Sequence, residues 1–453
     1  MQYDLCIIGG GPGGYVAAIR AAQRGKSVCL IEQDEVGGTC LNRGCIPTKA
    51  LTSSVELLAK IRKARTYGIQ VGGVEVDFTQ MMKRKDQTVA RLVKGINFLL
   101  QKNKVELIKG TGRISGPGRI VVNDQEIKAE DIIIATGARP VVFPQFKHDG
   151  QQVITSDEAL TLQSIPGELI IIGGGVIGSE FASIFATLGS KVKIVEMLPR
   201  VLPMADADVS AQLETAFKKM GVEIYTGQKV VGVEKGAQVR VQLESGDELT
   251  GDVMLVSIGR GVNTEGLGLD TVGVALNQKG EIQVDARMAT TDPGIWAIGD
   301  VTDCALKLAH VASAQGLVAV DNIMGENRSM DYGAIPNCVF TQPEIAWVGL
   351  TEAEAQEAGY SYKTAKFPFM ASGKALAMGD YDGFVKIIAA IDGELLGLHI
   401  IGPHASDLIA EPTLALSVGL DVEEFVTAVR AHPTLPEALM EAGEAVLDRP
   451  IHC

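Results

Sequence analysis

The hydrophobic positions of this chain form short continuous runs that end at glycine-rich turns or at acidic residues. One pair of runs covers residues 4–8 and 27–31, and a second pair covers residues 170–172 and 191–195. Apolar runs of this length are typical of strands, and the segment between the two runs of each pair is typical of a helix. The pattern therefore predicts the same strand–turn–helix–strand unit twice, and with it an α/β fold.

Each predicted unit carries the three glycines of a G-x-G-x-x-G fingerprint at its first turn and a glutamate at the end of its second strand. In a βαβ dinucleotide site, the first glycine allows a tight turn, the second lets the backbone approach a pyrophosphate, and the third lets helix and strand pack closely. The phosphates then lie at the helix N-terminus, and the acid accepts a hydrogen bond from a ribose hydroxyl. Two copies of this fingerprint predict two dinucleotide sites. The residues in these roles are Gly9, Gly11, Gly14 and Glu32 in the first unit, and Gly173, Gly175, Gly178 and Glu196 in the second.

Two further strand ends fit the first of these sites. The apolar run 132–134 ends in the small-residue turn Ala135-Thr136-Gly137, and the run 295–298 ends in Gly299-Asp300. Taken alone, either segment could be an ordinary strand end.

The length of 453 residues allows about three domains. We expect a first nucleotide-binding domain over residues 1–143, interrupted by a second one over residues 144–263 and completed by residues 264–332. The character of the chain changes near residue 332, where short strand-like runs begin to precede helices rich in Ala, Leu and Glu. Residues 333–453 are therefore expected to form an α+β domain.

Composition and charge exclude several classes of function. The net charge is −14, and no basic stripe or tail occurs, so a nucleic acid partner is not expected. No apolar run reaches the length of a membrane span, and the first strand begins almost at once, so neither a membrane span nor a signal peptide is expected. The seven cysteines lack the spacing of a secreted disulfide framework, which favours a reducing, cytoplasmic location. No metal site is predicted.

The segment 37–49 carries the most distinctive chemistry. Cys40 and Cys45 lie close together just after the first dinucleotide unit, and a disulfide between them would close too small a ring to stabilise a large fold much. A chemical role is therefore more plausible than a stapling role. Pro47 is tolerated in the first turn of a helix, so we expect a helix to begin around Cys45 and to lower the pKa of a thiol there. Two unrelated buried cysteines would be the alternative interpretation.

One histidine and three other charged residues could support thiol chemistry. Thiol–disulfide exchange needs a base near neutral pH, and His432 has the matching side chain, with Glu437 available to fix its tautomer. Lys49 lies one helical turn after Cys45 and can share its face. Glu180 follows the last glycine of the second fingerprint. From the residues alone, a loop histidine and surface charges remain acceptable interpretations.

These motifs together resemble the pyridine nucleotide-disulphide oxidoreductase family over essentially the whole chain. The resemblance rests on the two fingerprints and on the segments 40–49, 135–137, 299–300 and 432–437. It implies two nucleotide-binding domains, FAD in the first site, NAD in the second and a redox disulfide between Cys40 and Cys45. It also implies a homodimer held together by the C-terminal domain.

The resemblance further implies roles for individual residues. Asp300 would hold the ribityl chain of FAD, and Lys49 and Glu180 would pair near the flavin. The dyad of His432 and Glu437 would act on the disulfide of the other subunit. The chain departs from the family pattern at Arg430 and Pro436, where a second histidine and a serine are common, so the local substrate contacts stay open. The implied FAD contacts are Gly9, Gly11, Gly14, Glu32, Lys49, Thr136, Gly137, Asp300 and Ala309.

The implied reaction is the oxidation of protein-bound dihydrolipoamide to lipoamide, with NAD as the acceptor. A substrate thiolate would attack Cys40, release the thiolate of Cys45 and pass its electrons on through FAD. The implied partners are lipoyl domains and the E2-type cores of 2-oxo acid dehydrogenase complexes, or the glycine cleavage system.

Three alternative functions share parts of this pattern. A glutathione-reductase-like enzyme would use NADP and place arginines after the strand that here ends in Glu196, where Arg200 is the nearby cation. A mercuric reductase usually ends in a cysteine pair, whereas this sequence has Cys453 alone, and we interpret that residue as structural. A non-catalytic flavoprotein that docks partners or senses redox state would need neither the cysteine pair nor the His432–Glu437 dyad.

Overall fold

The computed structural model describes residues 1–452 and consists of alternating strands and helices. The predicted strand–turn–helix–strand units are both present, with helices over Pro12–Gln23 and Val176–Leu188 following the two glycine fingerprints. The helices are, in chain order, α1 (Pro12–Gln23), α2 (Gly38–Arg43), α3 (Cys45–Arg62), α4 (Phe78–Lys102), α5 (Ser156–Ala159), α6 (Val176–Leu188), α7 (Ala207–Lys219), α8 (Ala309–Ile323), α9 (Glu352–Glu357), α10 (Gly373–Met378), α11 (Ala405–Leu408), α12 (Ala410–Ser417), α13 (Val422–Thr427) and α14 (Glu437–Val446).

The strands form several separate sheets. They are β1 (Gln2–Ile8), β2 (Val28–Glu32), β3 (Glu106–Lys109), β4 (Arg113–Gly116), β5 (Arg119–Val122), β6 (Gln125–Ile134), β7 (Ala138–Pro140), β8 (Val153–Ile154), β9 (Glu168–Ile172), β10 (Lys191–Glu196), β11 (Glu223–Thr226), β12 (Val230–Glu234), β13 (Val239–Leu243), β14 (Glu248–Gly251), β15 (Val253–Val256), β16 (Arg260–Val262), β17 (Ile295–Ala297), β18 (Asn337–Val339), β19 (Glu344–Gly349), β20 (Tyr362–Pro368), β21 (Phe384–Ala390) and β22 (Leu395–Gly402).

The chain divides into two compact units. The first unit comprises residues 1–51, 79–141 and 259–331, and the second comprises residues 52–78, 142–258 and 332–452. Each unit contains one of the two glycine fingerprints. The four-segment domain assignment made from the sequence stays a prediction.

The first unit is built on a sheet with the order β3-β2-β1-β6-β5-β4, and β17 pairs with β6 outside this path. β1 runs parallel to both β2 and β6, and its last residue, Ile8, lies opposite Ile31 and Ile134. β17 runs parallel to β6, with Ala297 opposite Ile134. These strands therefore end at one edge of the sheet, where open α/β sheets bind their ligands. The fingerprint, Glu32, the 135–137 turn and Asp300 all follow directly from that edge.

The second unit repeats this arrangement and adds an antiparallel sheet. Its parallel sheet has the order β11-β10-β9-β15-β8, and Ile172 at the end of β9 lies opposite Val195 and Val256. The antiparallel sheet has the order β18-β19-β22-β21-β20. α13 and α14 share a hydrophobic core with β20–β22, in which Ile387, Phe425 and Leu439 are buried. The predicted fold class, two Rossmann-like units and a C-terminal α+β part, is confirmed.

Candidate active site

The turn after β1 forms the first nucleotide cradle. Gly9 has a φ of +106°, and a Cβ there would lie 2.3 Å from the carbonyl oxygen of Ala135. A Cβ on Gly14 would lie 1.9 Å from the carbonyl oxygen of Gly9, so helix α1 packs against the strand end more closely than any side chain allows. Both positions therefore require glycine for steric reasons.

Glu32 orders this cradle from the end of β2. Its carboxylate is buried and accepts hydrogen bonds from the backbone N–H of Gly10 at 2.7 Å and of Asp34 at 2.8 Å. The two bonds bring the carboxylate beside the glycine turn. An ionised carboxylate has about four acceptor positions, so Glu32 keeps capacity for a ribose hydroxyl.

The turn after β9 forms a second cradle of the same geometry. Gly173 has a φ of +100°, and a Cβ on Gly178 would lie 2.0 Å from the carbonyl oxygen of Gly173. Glu196 accepts from the backbone N–H of Gly174 at 2.7 Å and of Leu198 at 2.8 Å. The same contacts thus occur twice in the chain. Gly11 and Gly175 each precede the first helical residue, in extended conformation, which leaves a helix N-terminus for phosphate at each cradle.

The side chain of Arg200 binds the backbone segment that follows it. Its guanidinium donates to the carbonyl oxygens of Pro203 at 3.0 Å and Ala205 at 3.2 Å. The only cation that follows Glu196 closely in sequence is therefore committed to the backbone. This arrangement disfavours a 2′-phosphate at the second cradle.

Asp300 follows β17 at the ligand edge of the first unit. Burial raises the pKa of its carboxyl above the ordinary value, and Arg260 and Lys307 oppose that shift. The Nε of Arg260 lies 3.9 Å from its Oδ2, and the Nζ of Lys307 donates to the backbone carbonyl of Asp300 at 3.1 Å. Arg260 and Lys307 were not identified from the sequence. Arg260 is distant from Asp300 in sequence, and Lys307 is a single lysine in a loop that belongs to no motif, so neither residue carries a spacing signal that could have revealed it.

The Thr136–Gly137 turn is closed by Asn263, another residue that sequence reasoning missed. The Thr136 hydroxyl donates to the carbonyl oxygen of Asn263 at 2.8 Å, and the Asn263 side-chain amide donates to the carbonyl oxygen of Thr136 at 2.9 Å. Gly137 has a φ of +65°. Ala309 begins helix α8, whose side chain Gln315 accepts the N–H of Gly299 at 2.7 Å. The predicted FAD contacts of the first unit therefore gather around one sheet edge.

Cys40 and Cys45 lie on two consecutive helices. Cys40 is in α2, Gly44 forms the break, and Cys45 begins α3, which confirms the predicted helix start. The hydrogen bond between the two thiol groups, together with burial, raises the pKa of Cys40 well above its ordinary value. Lys49, one turn into α3, opposes that shift. The two sulfurs are thus adjacent, as an exchangeable disulfide requires.

The cysteine segment is fixed directly to the first cradle. A Cβ on Gly38 would lie 2.6 Å from the Cα of Gly11, and the N–H of Gly37 donates to the carbonyl oxygen of Gly10 at 2.8 Å. The Asn42 side chain donates to backbone carbonyls on the same loop, including that of Gly38 at 3.0 Å. The redox-candidate pair and the glycine fingerprint are therefore parts of one local structure.

Lys49 and Glu180 lie in different units of the chain, and their pairing stays a prediction. Lys49 is on α3 in the first unit. Glu180 is buried on α6 in the second unit, where its Oε1 accepts from the backbone N–H of Phe340 at 3.0 Å.

His432 and Glu437 form a hydrogen-bonded pair at the start of α14. The Nδ1 of His432 lies 2.7 Å from Oε1 of Glu437, and Oε2 of Glu437 accepts the N–H of Thr434 at 2.7 Å. Although burial acts to raise the pKa of Glu437, its bonds to Thr434 and His432 hold that pKa below its ordinary value. The carboxylate is therefore ionised and fixes the ring, while the His432 side chain is 79% exposed. The ring is oriented as a base needs, with Nε2 pointing away from the carboxylate.

The two departures from the family pattern leave this dyad intact. The Arg430 side chain is 5% exposed, pairs with Glu411 at 2.5 Å and stacks over the Phe425 ring at 4.8 Å. Pro436 is the N-cap residue of α14, directly before Glu437. Arg430 thus contributes to the packing around Phe425 and Glu411. Cys453 lies outside the described residues.

No metal site or membrane helix is found in residues 1–452. No group of three or more His, Cys, Asp or Glu side chains among them could hold a metal ion. None of their helices is both long and apolar enough to cross a membrane.

Comparison with known proteins places these features in context. Residues 3–316 match the family model described as pyridine nucleotide-disulphide oxidoreductase, and residues 335–443 match the dimerisation domain of that family. The chain is 44% identical to a dihydrolipoyl dehydrogenase of Chlamydia muridarum, over 99% of this chain and 98% of that protein. It is 42% identical to a dihydrolipoyl dehydrogenase of Bacillus subtilis, over 100% of this chain and 99% of that protein.

Solved structures agree with this result. The crystal structure of LpdA from Mycobacterium tuberculosis superposes with a TM-score of 0.91 at 31% identity, covering 98% of this chain and 99% of that chain. The HOCl-induced flavoprotein disulfide reductase RclA from Escherichia coli superposes with a TM-score of 0.89 at 32% identity, covering 98% of this chain and all of that chain.

Proposed function

The chain belongs to the pyridine nucleotide-disulphide oxidoreductase family, and we propose that it oxidises dihydrolipoamide to lipoamide with NAD as the acceptor. The observation that carries this proposal is the adjacent Cys40–Cys45 pair, built into the same loop structure as the first nucleotide cradle. The full-length similarity to dihydrolipoyl dehydrogenases selects this substrate within the family.

The two cradles fit the two cofactors that the family uses, FAD and NAD. In the first cradle, Glu32 and the helix α1 N-terminus fit the adenosine ribose and pyrophosphate, and Asp300 and the 135–137 turn lie at the same sheet edge. In the second, Glu196 and the N-terminus of α6 fit NAD. A flavin supplies the hydride chemistry that links a dithiol to a nicotinamide nucleotide, which no side chain can provide.

The protein's own residues perform the thiol half of the reaction. His432, through Nε2, accepts the proton of one substrate thiol, while Glu437 holds the other ring nitrogen and stabilises the imidazolium. The thiolate attacks the Sγ of Cys40, so that a substrate–Cys40 disulfide forms and Cys45 leaves as a thiolate.

The second substrate thiol completes the exchange. It attacks the substrate sulfur of the mixed disulfide, which closes the lipoamide ring and releases Cys40, and the proton of the attacking thiol passes to the departing Cys40 sulfur while the first proton stays on His432. The substrate dithiol loses two electrons, and the Cys40–Cys45 disulfide gains them. The hydrogen bond to Cys45 and burial raise the pKa of the Cys40 thiol, and Cys45 lies at the N-terminus of α3, where the helix dipole favours a thiolate.

The dimer completes this site. The match of residues 335–443 to the dimerisation domain supports a homodimer. We propose that the exposed His432 of one subunit serves the cysteine pair of the other. The protein partners proposed are lipoyl domains and E2-type cores of 2-oxo acid dehydrogenase complexes or the glycine cleavage system, and a cytoplasmic location is proposed with them.

A glutathione-reductase-like activity is the second candidate, and the geometry of the second cradle argues against it. Glu196 would repel a 2′-phosphate, and Arg200 is bound to backbone carbonyls. The deciding experiment is a steady-state assay with dihydrolipoamide or glutathione, each against NAD or NADP. We expect kcat/KM to be highest for dihydrolipoamide with NAD. An equal or higher value for the glutathione and NADP couple would contradict the proposed function.

A further inference from the structure

The loop formed by residues 197–206, here called the cradle loop, contacts the glycine turn of the second cradle. The backbone N–H of Leu202 donates to the carbonyl oxygen of Gly174 at 2.8 Å, and Leu202 is buried. The Met204 side chain reaches the same turn, since a Cβ on Gly175 would lie 4.0 Å from its Cε. The conformation of the cradle loop therefore determines the space that a nucleotide finds at this turn.

The cradle loop is strained at its centre and is held there by α7. Leu202 has a φ of +52°, in the left-handed region that residues with a Cβ rarely occupy. Such a conformation persists only where the surrounding contacts impose it. Ser210 of α7 donates its hydroxyl hydrogen to the carbonyl oxygen of Leu202 at 3.0 Å. Asp206 ends the loop as the N-cap residue of α7 and accepts the backbone N–H of Asp208 at 3.0 Å, so the start of α7 fixes the loop.

Asp206 is held in turn by two elements of the C-terminal α+β part. The Nζ of Lys386 on β21 donates to its Oδ1 at 2.9 Å, and the backbone N–H of Glu352, the first residue of α9, donates to its Oδ2 at 3.2 Å. Lys386 and Asp206 are each 1% exposed, so neither charge has water to replace a lost partner. Both elements lie within residues 335–443, which match the dimerisation domain. A continuous series of contacts thus runs from β21 through Asp206 to the second cradle.

We propose that Lys386 is a positioning residue for the second nucleotide, which holds the cradle loop through Asp206 in the conformation that accepts NAD. This inference rests on the proposed function in naming NAD as the nucleotide. Without Lys386, Asp206 loses its buried cation, and the loop also populates conformations in which Leu202 does not bond to Gly174. A nucleotide that binds only one of these conformations has an apparent affinity reduced by the fraction of molecules in that conformation.

The first test measures the affinity of the oxidised holoenzyme for NAD by isothermal titration calorimetry. We expect Lys386→Met to raise Kd about tenfold, as a competent fraction of about one tenth would. Asp206→Asn keeps the cap of α7, because asparagine caps as well as aspartate, but removes the charge that Lys386 binds. It should raise Kd about threefold or more. Lys366→Met is the matched control with an unchanged Kd, because Lys366 binds Asp208 at 2.7 Å and is 43% exposed.

The second test separates nucleotide binding from thiol exchange, at a temperature at which circular dichroism shows each variant to be folded. In Lys386→Met and Asp206→Asn, KM for NAD should rise with Kd, whereas reduction of the enzyme by dihydrolipoamide, followed by stopped-flow absorbance, should stay within about twofold of wild type. Asp206→Asn carries both tests if Lys386→Met does not fold.

Two results would overturn the inference. An unchanged Kd and KM for NAD in the folded variants would show that Lys386 only stabilises the fold. An equal loss of NAD binding and of reduction by dihydrolipoamide would show a general loosening of the structure. Failure of dihydrolipoamide to reduce the wild-type enzyme would instead reject the proposed function, and calorimetry with NAD would still report on Lys386.

Discussion

At the scale of single residues, the cysteine pair is the most direct test of the proposed chemistry. Replacing Cys45 with serine removes the leaving thiolate and the partner of Cys40, so exchange with a dithiol has no disulfide to attack. We expect Cys45→Ser to abolish dihydrolipoamide turnover while FAD remains bound, measured by steady-state assay and by flavin absorbance. Cys304→Ser is the matched control, because Cys304 is a partly buried thiol of the same unit whose Sγ donates to the carbonyl oxygen of Leu306 at 3.7 Å. Near-normal turnover of Cys45→Ser would show that the pair is not the redox centre.

The contribution of His432 can be isolated by measuring the two half-reactions separately. The base acts on the substrate thiol, and general base catalysis contributes about a hundredfold to ten-thousandfold. His432→Ala should therefore slow reduction of the enzyme by dihydrolipoamide by about that factor while largely sparing flavin reduction by NADH, both followed by stopped-flow absorbance. An equal loss in both half-reactions would assign the residue a structural role.

At the scale of elements, the junction between α2 and the first fingerprint explains why the redox pair and the nucleotide cradle occur together. Gly38 is placed against the Cα of Gly11, and its φ is +57°. Gly38→Ala should force the two loops apart and lower FAD affinity about tenfold or more, measured by flavin release during dialysis or titration of the apoprotein.

The matched control for Gly38→Ala separates the effect of an unfavourable φ angle from the effect of the close approach between Gly38 and Gly11. Gly25 has a φ of +90° at the end of α1, but a Cβ there would meet no heavy atom within 4 Å. Gly25→Ala should therefore lower the stability of the fold through its unfavourable φ angle, without loss of FAD. If both variants lose FAD equally, contact between α2 and the fingerprint is not the cause.

A buried ion cluster joins α7, α9 and β21 within the second unit. The Nζ of Lys386 lies 2.9 Å from Asp206, 2.7 Å from Asp208 and 2.6 Å from Glu352, and Lys386 and Asp206 are each 1% exposed. Removing one partner of a buried pair leaves an uncompensated charge and costs about 3–5 kcal/mol. We expect Lys386→Met to lower the free energy of unfolding by about that amount at pH 7, measured by urea denaturation. Lys366→Met is the control, because Lys366 also pairs with Asp208 but is half-exposed, and it should cost at most about 1 kcal/mol.

The same cluster has a pH dependence whose sign follows from its pKa shifts. Burial acts to raise the pKa values of Asp206 and Asp208, but the hydrogen bonds from lysines outweigh it and the net shift is downward. A carboxylate whose pKa is lowered on folding stabilises the fold at pH values above its pKa in the unfolded chain, which is about 3.9. That stabilisation is lost as the pH falls from there through the lower pKa of the folded state. The pKa of Lys386 is raised, so its contribution is lost only at high pH. The difference between wild type and Lys386→Met should therefore be constant from about pH 6 to pH 9 and shrink below about pH 4.

The part of the structure that sequence reasoning predicted is the part whose causes are local. A glycine turn between a strand and a helix needs glycine at fixed positions, and the acid at the end of the next strand follows from the same geometry, so both cradles could be predicted. The helix start at Cys45 followed from Pro47. Arg260, Asn263 and the Lys386 cluster were missed, because each meets its partners only after chain folding and a single polar residue has no periodicity.

At the scale of the whole molecule, the proposed active site requires two chains, and this can be tested by mixing inactive subunits. The His432 side chain is 79% exposed in the single chain, and residues 335–443 match the dimerisation domain of the family. In a heterodimer of His432→Ala and Cys45→Ser subunits, one composite site would combine both lesions, whereas the other would carry neither. Up to about half of the wild-type activity per heterodimer should then return, by counting sites in a two-fold dimer. Subunit exchange is verified by mass spectrometry with two affinity tags, and each parent homodimer alone serves as the inactive control. If heterodimers form and no activity returns, His432 and Cys45 act within one chain, and the shared-site arrangement is wrong.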